Sequence, residues 1–204
     1  MDKKSQRLAA KSARRAMDAK AREAASAEIC RRLQNLPVIS DTKVIFSYLA
    51  MPEEVDLRAF HEWAIRRGVT LAFPVTRDGG IMEAYAPKWP CGWERDRYGI
   101  PMPPMASSRC VAPEDIGLIL TPCVAFDENC GRLGYGGGYY DRYFARCPGA
   151  LRLAVAFETQ KLLQVACGEF DIPMHCVQTE KTLYGMLPME KGGASACEGQ
   201  NGMV

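Results

Sequence analysis

The sequence predicts a single α/β domain with a mostly parallel sheet, an antiparallel extension and a basic N-terminal helix. Three observations carry this. Continuous apolar runs of strand length recur at VIFSYL (44–49), VTLAFPV (69–75), GLILTPCVAF (117–126) and LRLAVAF (151–157), the pattern of strands covered on both faces. A helical stretch separates the first two, so residues 44–75 read as a βαβ unit with a right-handed crossover. A chain of 204 residues, 48% hydrophobic, supports one well-buried core rather than two.

Each element has its own reason. Residues 3–17 are rich in Ala, Lys and Arg, good helix formers with few apolar side chains to bury, and predict an exposed basic helix. Ala25, Ile29, Leu33 and Leu36 follow at i, i+4, i+8 and i+11, an apolar helical stripe that ends near Pro37. Asp56 is placed to cap a helix carrying Leu57, Phe60 and Ala64 on one side, closed by Arg66, Arg67 and Gly68. The DGG at 78–80 is a turn into the short IMEAYAP run, which predicts the antiparallel extension. Residues 86–114, rich in proline and holding Trp89 and Trp93, predict a long irregular loop. Beyond the strands at 117–126 and 151–157, a short helical stretch is expected at 158–168 and a last strand at 174–180. The domain is drawn as 1–189, and the tail 190–204, without apolar periodicity, is expected to be disordered.

Charge and cysteine usage narrow the function classes. Residues 1–32 hold ten Lys/Arg against four Asp/Glu, a net +6, which leaves −4 for the rest of a chain whose net charge is +2. Such an arm suits a polyanion, and the acidic body favours a small one over nucleic acid. Nine cysteines are an odd number without a C-x-x-C pair, and only His61 and His175 offer imidazole, which argues against both a disulfide scaffold and zinc. A reducing, cytoplasmic setting is expected, with most cysteines as small core residues. No apolar run approaches a membrane span. The sequence offers no convincing Ser-His or Cys-His pair for nucleophilic catalysis.

Chemistry concentrates in RLGYGGGYYDR, residues 132–142, just past the predicted strand 117–126. Ligands of open α/β sheets bind at such carboxyl ends. Gly134, Gly136, Gly137 and Gly138 free the backbone to turn several amides toward one anion, and a helix beginning at YYDRYFAR would point its positive end at the same place. The segment is neither G-x-G-x-x-G nor a P-loop, because Tyr139 stands where the third glycine would be and no GK[ST] occurs. Arg132 and Arg142 offer phosphate partners, and Asp141 a hard oxygen ligand.

RLGYGGGYYDR, preceded by TPCVAFD with Asp127, resembles the signature of 5-formyltetrahydrofolate cyclo-ligases, also called 5,10-methenyltetrahydrofolate synthetases. SYLAMPEEVD (47–56), YGIPMPP (98–104) and DIP (171–173) support it in order, so the resemblance spans about residues 3–187. It implies a Rossmann-like three-layer fold and an ATP-dependent closure of 5-formyltetrahydrofolate to the 5,10-methenyl form. It also implies Mg²⁺ as cofactor, a cytoplasmic monomer, and a folate that can be polyglutamylated. Neither a membrane nor nucleic acid is implied as partner.

Residue by residue, the resemblance assigns ATP contacts to Lys3, Arg7, Arg132, Leu133, Gly134, Tyr135, Gly136, Gly137, Gly138, Tyr139 and Tyr140. Lys11 and Arg15 offer the same i, i+4 spacing as Lys3 and Arg7, and Gln6 stands where the family usually has Leu. Folate contacts fall on Leu49, Glu54, Tyr98 and Tyr135 to Tyr139, with Glu53 as the competitor of Glu54. Asp141 and Asp171 take the positions associated with Mg²⁺, and Arg132 and Tyr139 those associated with catalysis. The alternatives kept open are a paralogue closing another substrate and an RNA-binding protein of the same fold.

Overall fold

A computed structural model describes residues 1–96 and 99–187. The elements are α1 (Lys3–Ala16), α2 (Ala19–Gln34), α3 (Pro37–Asp41), β1 (Val44–Phe46), α4 (Arg58–Arg66), β2 (Thr70–Arg77), β3 (Ile81–Pro87), β4 (Glu94–Arg95) and β5 (Pro101–Met102). They continue as β6 (Ser108–Val111), β7 (Leu118–Pro122), β8 (Ala125–Phe126), β9 (Arg132–Leu133), α5 (Tyr139–Phe144), β10 (Leu151–Val155), β11 (Cys176–Gln178) and β12 (Leu183–Gly185).

The main sheet has the order β12-β11-β10-β7-β1-β2-β3-β6. Its five central strands are parallel, and β12, β3 and β6 add antiparallel edges. The strand pattern explains the layers. Ile45, Leu71, Phe73, Leu118, Leu120, Leu153 and Val155 face one way, into a core with Ile29, Leu33, Ile39, Phe60 and Ala64 from α2, α3 and α4. Their neighbours Phe46, Ala72, Ile119 and Ala154 face the other way, against Tyr143, Phe144 and Cys147 at α5. A smaller cluster of Ala10, Val124, Ala125, Leu133 and Val165 seats α1.

Asp2 and Asp18 start α1 and α2 by accepting the amides of Ser5 (2.7 Å) and Ala21 (2.8 Å). Gly68, at φ 78°, follows the end of α4 as expected. The cap of α4 differs from expectation: Leu57 is the capping residue, and Asp56 accepts the Arg58 amide at 3.0 Å from one position further out. α1 is less exposed than its composition predicts, because Gln6, Ala10 and Arg14 are buried.

Three further expectations are corrected. The run 117–126 is two strands: β7 stops at Pro122, and β8 leaves the main sheet to pair with β9. The stretch 158–168 holds one 3-10 turn, Glu158–Gln160, and no α-helix. The segment 86–114 is partly ordered by backbone pairing, since β6 joins β3 and β4 pairs with β5. A short strand with no clean alternation, such as SRCV, carries little periodic signal of its own, and neither does β12.

Candidate active site

The strand order reverses between β1 and β7, because the chain leaves β1 toward β2 and returns to pair β7 on the other side of β1. The carboxyl ends of these two strands therefore open a crevice at a topological switch point. The loop after β1 brings Leu49, Glu53 and Glu54 there, and the chain after β7 brings the glycine-rich turn.

That turn, 134–138, lies between β9 and α5. Gly136 has φ 104° and Gly138 φ 65°, a region in which a side chain is strained. Among the described residues, none of the amides of residues 134–138 donates to a protein acceptor. Successive N–H groups without a protein partner, with positive φ at Gly136 and Gly138, are the backbone pattern from which anion-binding nests are built. Arg142 does not face it: its guanidinium binds the carbonyls of Gly80 (3.0 Å) and Gly137 (2.8 Å), tying the turn to the β2–β3 hairpin. Tyr139 opens α5, and its ring sits so close to Gly137 that a Cβ there would approach it to 2.9 Å.

Cations converge on the turn from two directions. From α1, the Arg7 Nε donates to the Gly134 carbonyl at 2.8 Å, and Lys3 pairs with Asp171. Lys11 instead lies over the Tyr135 ring, 4.8 Å from its centre, and Arg15 pairs with Glu53 at 2.9 Å. Of the two candidate pairs, Lys3 and Arg7 meet the backbone turn and the carboxylate. Gln6 binds the Gln164 carbonyl and the Ala166 amide, both at 2.8 Å, which fastens α1 to the segment beside Asp171.

From beneath, Arg132 is 8% exposed, and its Nη2 lies 3.3 Å from both oxygens of Asp141. Its Nε is buried without a partner among the described residues. Leu133 is fully core, so only its backbone faces the turn. The partly buried Tyr140 ring stacks toward Phe46 and Arg132, 5.6 Å from the latter's guanidinium carbon.

The two aspartates are brought together, since the Asp141 Oδ1 accepts the Ile172 amide at 3.3 Å, one residue from Asp171. Burial pushes the Asp171 carboxyl up, but Lys3 and the Gly168 amide outweigh it and hold it below the usual range. Among the described residues, no group of three or more His, Cys, Asp or Glu is set to hold a metal ion. Asp171 is engaged by Lys3 and Asp141 by Arg132.

Glu54, not Glu53, is the inward carboxylate. It is 8% exposed, accepts the Tyr135 hydroxyl at 2.5 Å on Oε1, and accepts the Met51 amide at 2.9 Å on Oε2. Burial raises its carboxyl above the usual range against the opposing pull of Tyr135, Met51 and Arg14. Tyr98 lies outside the described residues, as does the tail 190–204.

Sequence reasoning missed Arg14. It is 4% exposed, its Nη2 donates to the Tyr135 hydroxyl at 3.2 Å, and its Nε and Nη1 have no partner among the described residues. Each buried orphan costs about 1–3 kcal/mol. The signal was present: residues 3, 7 and 14 share one helical face, since eleven residues are close to three full turns. Ser47 and His61, which the sequence did not pair, are 2.7 Å apart, yet at 0% and 1% exposure they are closed to any substrate.

The 5-formyltetrahydrofolate cyclo-ligase family model matches residues 1–180. The chain belongs to the 5-formyltetrahydrofolate cyclo-ligase family. Among family relatives, a probable 5-formyltetrahydrofolate cyclo-ligase of Schizosaccharomyces pombe is 33% identical over 59% of this chain and 61% of its own length. The 5-formyltetrahydrofolate cyclo-ligase of Escherichia coli K12 is 25% identical over 84% of this chain and 96% of its own. The 5,10-methenyltetrahydrofolate synthetase of Aquifex aeolicus has a similar structure, with a TM-score of 0.80, 27% identity, and coverage of 95% of this chain and 100% of that one. The expected family and its α/β fold are thereby borne out. All eight cysteines among the described residues are free thiols, five of them buried, and no helix there is long and apolar enough to cross a membrane.

Proposed function

We propose that this member of the cyclo-ligase family couples ATP to the closure of 5-formyltetrahydrofolate into 5,10-methenyltetrahydrofolate. The observation that carries the reading is the run of unpartnered amides at 134–138, in a turn whose Gly134 carbonyl accepts from Arg7 and whose Tyr135 hydroxyl donates to the inward carboxylate Glu54. A polyphosphate and a ring bearing N–H donors find complementary groups within one crevice.

The reaction needs activation because an N5-formyl group is an amide whose oxygen leaves poorly. The formyl oxygen takes the γ-phosphoryl group of ATP and ADP departs, giving an imidate phosphate. N10 then adds to the formyl carbon, phosphate leaves with the former formyl oxygen, and the N10 proton passes to solvent. Such transfer asks for alignment and neutralised charge rather than a protein nucleophile. The amides of 134–138 would hold the phosphates, Lys3, Arg7 and Arg132 would neutralise them, and Tyr139 would stand at the reacting end of the helix. Leu49 and Tyr135 would flank the folate, with Glu54 accepting its N–H groups.

Asp141 and Asp171 fit a Mg²⁺ ion as hard-oxygen donors, provided that ATP phosphates and water complete the shell. Bound there, Mg²⁺ would neutralise phosphate charge and orient the polyphosphate. Lys3 and Arg132, which hold these carboxylates in the structure, are themselves phosphate partners, so an exchange of partners is chemically matched. The inward turn of Lys3, Arg7 and Arg14 favours a small polyanion over RNA along an outward basic face.

Purified protein given Mg-ATP and 5-formyltetrahydrofolate is expected to develop the near-ultraviolet absorbance of the methenyl product. Tight ATP binding without that absorbance would overturn the substrate assignment and favour a paralogue.

A further inference from the structure

We propose that Arg14 is a positioning residue for the folate: acting through Tyr135, it fixes the hydrogen-bond direction that presents Glu54 as a pure acceptor. The inference rests on the function proposed above and adds a residue to it.

The direction follows from what each group can do. A guanidinium only donates, so the Tyr135 oxygen must accept from Arg14 Nη2 at 3.2 Å. The Tyr135 hydroxyl donates its single proton to Glu54 Oε1 at 2.5 Å, a direction that the cation on the Tyr135 oxygen favours by making that proton more acidic. The other oxygen, Oε2, already accepts the Met51 amide. Glu54 is thus served by two donors and keeps its remaining lone pairs for a ligand's N–H groups. With Arg14 removed, the Tyr135 hydroxyl could reverse, and a protonated Glu54 could donate to it; the carboxylate would no longer be the only form that fits.

Arg14 is poorly explained as packing. It comes from the last turn of α1, on the stripe of Lys3 and Arg7, and is nearly fully buried beside Ala10, with two guanidinium nitrogens unsatisfied. An apolar side chain would fill the space without those orphans. Its charge is the property that the neighbourhood uses. Burial lowers the tendency of Arg14 to hold its proton, but the Tyr135 hydrogen bond and the carboxylates Glu54 and Glu53 reverse this, leaving it more firmly cationic.

The groups facing Glu54 are Tyr135 and Arg14 from the glycine turn and α1, and the Tyr48 and Tyr140 hydroxyls from the core side. Glu54 also borders a groove of about 570 Å³ that holds Arg22, Glu23, Asp56, Arg58 and Glu62. There Arg58 is paired with Asp56, and Arg22 donates to the Met17 carbonyl at 2.5 Å. Among the described residues, Arg14 is therefore the one cation that acts on Glu54 from within the hydrogen-bond chain.

The test uses the full-length protein as Arg14→Met, Arg14→Lys, Tyr135→Phe and the Arg14→Met/Tyr135→Phe pair, with kcat and KM measured for both substrates across pH 5.5–8.5. Arg14→Met is expected to raise the folate KM about tenfold or more at pH 7 while the ATP KM stays within about twofold. The acidic limb of kcat/KM for folate should move toward higher pH, and Arg14→Lys should recover part of both effects. In the Tyr135→Phe background, Arg14→Met should add nothing further. Unchanged folate KM and pH profile in folded variants, equal losses for both substrates, or additive losses in the pair would overturn the assignment. If Arg14→Met does not fold, Arg14→Lys and Tyr135→Phe decide the same points. If the wild-type protein is inactive on 5-formyltetrahydrofolate, the proposed function fails by itself. The Arg14 inference is then read from the Glu54 carboxyl titration by ¹³C NMR, expected to shift upward in Arg14→Met and refuted by an unchanged midpoint.

Discussion

Replacing Gly136 by Val perturbs the glycine-rich turn at a position of positive φ. The residue holds φ 104°, and a Cβ would stand 3.4 Å from the Arg7 guanidinium carbon. That distance alone is ordinary contact, so Gly136→Ala mainly carries backbone strain, on the order of 1–3 kcal/mol. Val adds two methyl groups that reach into the guanidinium and break the 2.8 Å Arg7–Gly134 bond. Losing one charge-assisted phosphate partner in this way costs about 1.5–3 kcal/mol of nucleotide affinity, a factor of about 10 to 150. The turn is exposed and outside the core, so the fold should survive with Tm lowered by roughly 2–12 °C. Calorimetric titration with Mg-ATP, beside a thermal melt, checks both numbers. Unchanged ATP affinity in a protein whose Tm has fallen within that range would refute ATP binding at this turn.

Two further outcomes are expected. Asp171→Asn should raise the Mg²⁺ concentration for half-maximal activity at least about tenfold, because a neutral amide is a weaker ligand for a hard cation; an unaltered Mg²⁺ requirement counts against Asp171 as donor. Burial holds His61 down at about 4, against an ordinary 6.5, with Asp56 opposing. The unfolded chain takes up this proton below pH 6.5 and the folded one only near 4. The contribution of His61 to stability is therefore full above pH 6.5, falls as the pH drops through that window and is flat below it, for a loss on the order of 3 kcal/mol. Denaturant titrations at pH 7 and 4.5 should show a smaller loss in His61→Gln than in the wild type, and equal losses would refute the assignment.

Much of this protein was legible in order along the chain. Strands such as those around Ile45, Leu71, Leu118 and Leu153 announce themselves because burial on both faces demands continuous apolar side chains. The glycine-rich turn is equally legible, since only glycine freely adopts the angles found at Gly136 and Gly138. These are local constraints, and local constraints are written in adjacent residues.

What the chain order alone left open concerns partners distant in sequence. Whether Arg7 or Arg15 reaches the Gly134 carbonyl, and whether Lys3 or Lys11 reaches Asp171, depends on how α1 rolls onto Val124, Leu133 and Val165, a docking set by contacts more than a hundred residues away. The choice of Glu54 over Glu53 likewise follows from Tyr135, 81 positions later, and the role of Arg14 from the same hydroxyl. β6 and β12 are strands because an edge was free to pair, not because their residues alternate. By itself the sequence determined the α/β scaffold and the glycine-rich turn, because backbone freedom and strand burial are properties of contiguous residues. Only the tertiary structure decided which cation and which carboxylate pack against that turn, because hydrogen-bond direction and burial exist only once α1, the β1 loop and the glycine turn are packed together.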